Sequence, residues 1–506
     1  MLSIIKSMKP KTSSCLDEIS SKLVIKCKEE LTVPLTHIIN CSIHEGIFPE
    51  KLKISKVYPK FKNGSTTEAR SYRPISLTST FSKIIEKVIL HRLMNYLIHN
   101  NLLTDNQHGF LKGRSTVTAI IQLIEHVIDQ IESGKTVTSL FLDFSKAFDC
   151  LDHDLLLRKL CNLGINGISG NWFRSYLTGR KQLVELKHNL NGTISKVRSA
   201  PLHIKRGVPQ GSVLGPVLFL LLTNDLPEFM DSLCQTVMYA DDTVLTLAHK
   251  NKEQLRKETN TSFDLAKQFC RSNDLVLNEN KTVQITYSTR GSEPDGLPNV
   301  KVEASTKYLG ITLDMNLKWN THIEVLCKKL AAGIYVIRRI KQICGTPAAR
   351  IAYFSLFEAH VRYGISAWGG TTNSNMERVL LHQKKAIRIL ADLKYLESCQ
   401  QAFQEHKILT VPALYISEVI LLAISTNKTK LGDHHQYNTR NASNFSFPIH
   451  HLSLTEKKPT YKGALYFNNL PDHLKQDTGR LFKRKLLKWL EDHPFYTEKE
   501  FLDWRD

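Results

Sequence analysis

An α+β chain with a mainly helical second part is what the sequence predicts, on three observations. Between residues 56 and 318, short β-rich runs alternate with helical ones. Past Trp319 the pattern becomes almost wholly helical to about residue 400. No internal repeat is evident, and 506 residues with 42% hydrophobic content suffice for more than one domain with a sizeable core.

Taken in order, residues 1–55 mix short helical patterns with a break at GIFPEKL (Gly46 to Leu52) and read as an N-terminal extension. In the next segment, 56–318, FSKIIEKVILHRLMNYL (Phe81 to Leu97) is strongly amphipathic and TVTSLFLDF (Thr136 to Phe144) is strand-like. HDLLLRKLCNLG (His153 to Gly164) reads as a helix closed by its glycine. MYADDTVLTLAH (Met238 to His249) reads as two strands about a tight turn. WNTHIEVLCKKLAAGIYVIRRIKQIC (Trp319 to Cys344) opens the basic, helical segment 319–400. The remainder, 401–506, is polar and poorly periodic through HHQYNTRNASNFSFP (His434 to Pro448) until a basic final helix, LFKRKLLKWL (Leu481 to Leu490), and suggests no chemistry.

Lys and Arg total 68 against 48 Asp and Glu, a formal net charge of +20, which points to an extended polyanion such as nucleic acid. A basic membrane-surface protein is the competing reading. It lacks the stripe of an interfacial helix, and the longest apolar run, PVLFLLL (Pro216 to Leu222), is too short to span a bilayer, so no membrane partner is expected. The ten cysteines form neither a Cys-x-x-Cys pair nor a Cys/His cluster at zinc spacing, and read as inert thiols of a reducing compartment. Without a secretion signal at the N-terminus, the expected location is intracellular, in nucleus, cytoplasm or both.

Against this basic background, Asp241 and Asp242 stand side by side in a predicted hairpin turn. Alone, such a pair is as readily a solvated acidic turn as a site. A third carboxylate, Asp143, ends an apolar strand just before a helical segment, at a sheet edge where ligand-binding groups collect. Three carboxylates brought together repel one another unless a cation offsets them, and hard oxygen ligands select Mg²⁺ or Mn²⁺. Two such ions about 4 Å apart suit in-line phosphoryl transfer. Neither a Walker-type phosphate loop nor the kinase glycine loop occurs, which sets ordinary ATPases and kinases aside.

FLDFSKAFD (Phe141 to Asp149), GVPQGSVLGPVLF (Gly207 to Phe219) and YADD (Tyr239 to Asp242), in that order, resemble the palm motifs of reverse transcriptases. SYRPISLTSTFSKIIEKVI (Ser71 to Ile89), QHGFLKGRST (Gln107 to Thr116), LNENKT (Leu277 to Thr282) and KYLGITLD (Lys307 to Asp314) are similar to non-long-terminal-repeat retrotransposon polymerases of the jockey-like kind. The resemblance runs from LDEIS (Leu16 to Ser20) to FKRKL (Phe482 to Leu486). SSCLDEIS departs from it, with Cys15 and Glu18 where relatives more often have glycines.

The resemblance implies a right-hand polymerase: fingers and a palm with an antiparallel sheet over 56–318, a helical thumb over 319–400, and a mainly helical C-terminal region. Asp143, Asp241 and Asp242 would be the metal triad, holding two Mg²⁺ or Mn²⁺ ions with the backbone carbonyl of Phe144. Arg73, assisted by Lys60 and Lys62, would grip the incoming triphosphate, for which a guanidinium fork is suited. Gln210 and Gly211 would pack under nucleotide and template, where glycine permits close approach. Phe148 would fill the space of a ribose 2′-hydroxyl and select deoxynucleotides. Lys281 would protonate the departing pyrophosphate, and Lys307 to Gly310 would form the primer grip. Each has a plainer reading outside the motifs: a surface salt bridge for Arg73, a loop for the PQG turn, a core aromatic for Phe148, a solvated lysine for Lys281.

The implied activity is RNA-directed DNA polymerisation, with an RNA template, a DNA primer or target DNA, and deoxynucleoside triphosphates as partners. The oligomeric state is left open. An RNA-dependent RNA polymerase and a catalytically silent nucleic-acid-binding remnant are the alternatives. Relatives usually carry an endonuclease domain ahead of this region. Here the resemblance begins near Met1, so the chain reads as the polymerase region without that domain: a truncated copy, an internal fragment or a domesticated descendant.

Overall fold

The computed structural model describes the chain apart from residues 146, 191–192, 231–232, 289–295, 299, 427–428, 435–441 and 506. Its contacts divide it into two compact units, each assembled from separated stretches. The first comprises Met1–Gly113, Leu142–Thr243 and Asn260–Lys281; the second comprises Arg114–Phe141, Val244–Thr259 and Thr282–Asp506. The four sequence segments expected above are continuous stretches, so they describe a different division of the chain.

In the first unit a mixed sheet runs in the order Tyr72–Leu77, Ile54–Phe61, Lys181–Leu190, Thr193–Arg198, with Leu202–His203 also paired to Lys181–Leu190. The first pair is antiparallel and sets Arg73 opposite Lys60, both exposed. The next is parallel, Ile54 facing Lys181. Glu185 on the third strand is buried and takes Lys56 at 3.2 Å and Arg198 at 2.7 Å, so this sheet's one buried carboxylate is paired twice.

The amphipathic helix expected near residues 81–97 is Thr80–His99. Its inner face is apolar beyond Thr80, Ser82 and Glu86, the last with no solvent exposure. That carboxylate accepts from Ser82 Oγ at 2.8 Å and from the Val213 and Leu214 N–H groups at 2.6 and 3.2 Å. It thereby satisfies N–H groups at the start of the Gly215–Thr223 helix, where the positive end of the helix dipole favours an anion. From Val217 to Thr223 that helix is buried on every side, which explains why PVLFLLL shows no periodicity. No helix among the described residues is long and apolar enough to cross a membrane.

In the second unit, Lys301–Val302, Val283–Tyr287, the Thr136–Phe141 part of one strand and the Val244–His249 part of another lie in that order in a sheet. The Asn320–Tyr353 helix is broken at Gly345, whose φ of +79° is outside the helical range, and restarts just before Pro347. Residues 401–506 are more ordered than their sequence suggests. Val411–Ser425 and Pro459–Asn468 are helices, and the first is apolar nearly all round because it is buried nearly all round. The expected basic helix lies within Gly479–Asp492, but it is not the final one, since Glu498–Asp503 follows, started by Thr497 Oγ1 accepting from the Glu500 N–H. Much of the HHQYNTRNASNFSFP stretch is outside the described residues. All ten cysteines are free.

Candidate functional site

The strand Thr136–Ser145 delivers Asp143 near its end, as its apolar pattern predicts. There the backbone is held on one side: Phe144 is opposite Leu277, and Asp143 C=O accepts the Asn278 N–H at 2.9 Å. Phe144 is buried. The Gln235–Tyr239 and Asp242–His249 strands place Asp241 in the turn between them, directly before the second strand's first residue, Asp242.

That turn is strained. Ala240 has φ +56°, a left-handed conformation uncommon for a residue with a β-carbon. The segment Asn106–Gly109 braces it. Gln107 Oε1, buried with its residue 3% exposed, accepts from the Ala240 N–H at 3.0 Å and the Gly109 N–H at 2.7 Å. Met238 donates to Asn106 C=O and accepts from the His108 N–H, each at 2.8 Å. A β-carbon on Gly109 would lie 2.5 Å from Ala240 N, so only glycine fits beneath the turn.

Charge accumulates at this corner. Burial raises the Asp241 carboxyl above the usual range, the Asp143 charge adds to the rise, and Arg73 opposes it. Asp242 as a residue reaches solvent, yet the atoms crowding its carboxyl strip away enough water to push it up to about 6, with Asp241 and Asp143 adding repulsion. Asp143 pairs loosely with Lys281, whose Nζ is 3.7 Å from Oδ2, both groups well exposed. A loose, solvated ion pair of this kind offsets little of the charge of three carboxylates. Among the described residues no group of three His, Cys, Asp or Glu side chains is gathered into a metal cluster. The donor set nevertheless fits a hard divalent cation: all its side-chain atoms are carboxylate oxygens and its charge excess is of the sign such an ion removes.

Of the other expected residues, Arg73 is close enough to lower the Asp241 carboxyl and lies exposed on its strand. Phe148 is half-buried on the short Ala147–Cys150 helix, its ring 5.0 Å from that of Phe219. Gln210 donates through Nε2 to both oxygens of Asp149, at 2.9 and 3.0 Å, and its C=O accepts the Ser76 N–H at 2.8 Å. Gly211 has φ +118°, and a β-carbon there would lie 2.8 Å from Ser76 O. Lys307 to Gly310 belong to the second unit, at the turn of the Ser305–Tyr308 and Ile311–Asp314 hairpin.

Glu86, Gln107, Gly109 and Asp149 went unremarked as individual residues in the sequence. All four stand in quoted motif pieces, but a buried acceptor such as Glu86 or Gln107 has no signature of its own in a single sequence, since its partners lie far along the chain.

A family model described as reverse transcriptase (RNA-dependent DNA polymerase) matches residues 58–313, just over half of the chain. The chain belongs to the reverse transcriptase family. Its sequence is 28% identical over 410 residues to the probable RNA-directed DNA polymerase from transposon BS of Drosophila melanogaster, covering 77% of this chain and 44% of that protein. It is 27% identical over 369 residues to the RNA-directed DNA polymerase from mobile element jockey of the same species, covering 70% and 39%. A putative 115 kDa protein in the type-1 retrotransposable element R1DM, also from Drosophila melanogaster, is 25% identical over 378 residues, covering 72% and 35%. The chain thus spans less than half the length of each of these relatives. The expected α+β polymerase fold and the jockey-like resemblance are borne out.

Proposed function

We propose that this chain is an RNA-directed DNA polymerase of a non-long-terminal-repeat retroelement, adding deoxynucleotides to the 3′-hydroxyl of a primer paired with an RNA template. The observation that carries the reading is the corner formed by Asp143, Asp241 and Asp242, whose carboxylates repel one another and, for Asp241 and Asp242, stand above their usual range, in a chain of this family.

In this reading Asp143, Asp241, Asp242 and the Phe144 carbonyl hold two Mg²⁺ or Mn²⁺ ions. When bound, such ions supply activation of the attacking hydroxyl and neutralisation of phosphate charge. The protein's own groups do the rest. Arg73, set next to Lys60 across its strand pair, binds triphosphate oxygens and draws them towards Asp241. Lys281, exposed and 3.7 Å from Asp143, is an ammonium placed to give a proton to the departing pyrophosphate. Phe148, backed by Phe219, excludes a 2′-hydroxyl from the sugar position. Gln210 and Gly211 form the floor beneath nucleotide and template. Residues 56–318 serve as fingers and palm, 319–400 as a thumb that holds the duplex backbone through its basic residues, with Lys307 to Gly310 as primer grip.

Primer extension on a poly-ribonucleotide template with deoxynucleotides tests this. Extension with Mg²⁺ or Mn²⁺ and its loss with a chelator are expected. Binding of primer and template without extension under either metal would leave a silent nucleic-acid-binding remnant as the better reading.

A further inference from the structure

A steric gate works only if its ring is held to within a fraction of an ångström, and Phe148 stands on a helix of a single turn, Ala147–Cys150. One turn makes too few internal hydrogen bonds to orient a side chain by itself. What orients it is the loop of residues 207–211. The Val208 N–H donates to Phe148 C=O at 3.0 Å, and the Gly207 N–H donates to Leu151 C=O at 2.7 Å. A β-carbon on Gly207 would lie 2.7 Å from Asp149 O and 2.9 Å from Asp149 Cα, so loop and helix touch backbone to backbone. The same loop is tied to the strand carrying Arg73 by the Ser76 N–H to Gln210 C=O bond of 2.8 Å. Its start and end are held as well, by His153 Nε2 at 2.8 Å from Gly207 O and by Glu86 on Val213 and Leu214.

Among these ties one joins two side chains: Gln210 Nε2 donates to both Asp149 oxygens, at 2.9 and 3.0 Å. We propose that Asp149 is a positioning residue for sugar selection, its carboxylate locking Gln210 and with it the loop that sets the Phe148 ring. Asp149 is next to Phe148 in sequence, so a shift of the loop moves gate and floor together. Charge matters here as well as shape. A carboxylate that shares one Gln210 amide hydrogen between its two oxygens makes a stronger tie than a neutral amide would, and it holds that N–H on the line between them. With the tie broken, the back of the Phe148 ring still rests on Phe219, but nothing at the Gln210 end holds the loop against the gate helix. The ring then gains room to yield to a 2′-hydroxyl.

The inference rests on Phe148 being the sugar gate of a polymerase. The test measures kcat/KM for a deoxynucleotide and for the matching ribonucleotide, on a primed RNA template, for the unaltered chain, Phe148→Val, Asp149→Asn and Asp149→Ala. The unaltered chain is expected to prefer the deoxynucleotide and Phe148→Val to lose most of that preference. Asp149→Ala should lose roughly tenfold of it, about the net worth of one hydrogen bond, and Asp149→Asn, which keeps one acceptor oxygen, less. Primer–template affinity should stay the same in all four. A purely structural role would lower both efficiencies together and leave their ratio untouched, and that result overturns the inference. If Asp149→Ala does not fold, the near-isosteric Asp149→Asn decides alone by its ratio. The failures are separable. No extension by the unaltered chain refutes the polymerase reading, and an unchanged ratio in Phe148→Val refutes the gate, each taking the inference with it. A changed ratio in Phe148→Val beside unchanged ratios in both Asp149 variants refutes the inference alone.

Discussion

Each unit of this chain holds a set of three carboxylates, and they are treated in opposite ways. In the second unit the Thr116–Glu132 helix carries Glu125, Asp129 and Glu132 at helical spacing, and each meets a donor from the His451–Thr460 region. Glu125 accepts the Thr460 N–H at 2.8 Å, Asp129 takes Lys458 at 2.6 Å, and Glu132 accepts from the His451 and Leu452 N–H groups and Thr455 Oγ1. Burial pushes the Glu132 carboxyl up, but those hydrogen bonds outweigh it and hold the group below its usual range. In the first unit, among the described residues, Asp143, Asp241 and Asp242 have on their side the Asp241 backbone N–H, a loose pair with Lys281 and the field of Arg73, and two of them are nevertheless raised. The fold spends donors where a carboxylate fastens chain to chain. It leaves carboxylates with fewer donors at the corner proposed above as the cation site.

That contrast is open to attack at several points. Asp241→Asn should reduce primer extension by about a hundredfold or more while leaving template affinity nearly intact, because contacts to a phosphate backbone do not need this carboxylate charge. Extension at a comparable rate would remove Asp241 from the site. Gly109→Ala should displace the Ala240–Asp241 turn, since the new methyl carbon would meet Ala240 N at 2.5 Å. Relief of that overlap costs about 1–3 kcal/mol. A fall in extension is expected, with the metal concentration needed for half-maximal rate rising; an unaltered metal dependence would show that the bracing segment does not set the carboxylates.

In the fastened set, Glu132→Gln should lower unfolding stability by about 1–3 kcal/mol, read by denaturant titration, and leave extension per folded molecule unchanged. The sign with pH follows from the lowered carboxyl. The Glu132 contribution is complete above the pKa of the unfolded chain and disappears as pH falls through the lower, folded value. The difference between the parent chain and Glu132→Gln should therefore shrink in acid, and a difference that grew in acid would reverse the assignment. The smallest effect has the opposite sign. Asp242→Asn, in chelator, should raise the melting temperature slightly, by less than about 1 kcal/mol in stability, because solvent screens this exposed group. A clear loss of stability would mean that Asp242 is fastened like Glu132.

Much was legible in the residues themselves. The strand-like run at Thr136–Phe144, the helical run at Phe81–Leu97, the closing Gly164 and the paired strands around Asp241 are local patterns, and local patterns need only near neighbours to be read. The candidate metal residues were legible through Asp143 at the end of an apolar strand and through the motif pieces around all three, since an Asp-Asp turn alone is as readily a solvated one. Two things only the tertiary structure decided. Val411–Ser425 is a helix buried on nearly every side, so its apolar run lacks the two-faced period that betrays a surface helix. Asp149 meets Gln210, Glu86 meets Val213, and Gln107 meets Ala240 across long stretches of chain, and a hydrogen bond of that kind leaves no mark at either end until folding brings donor and acceptor together.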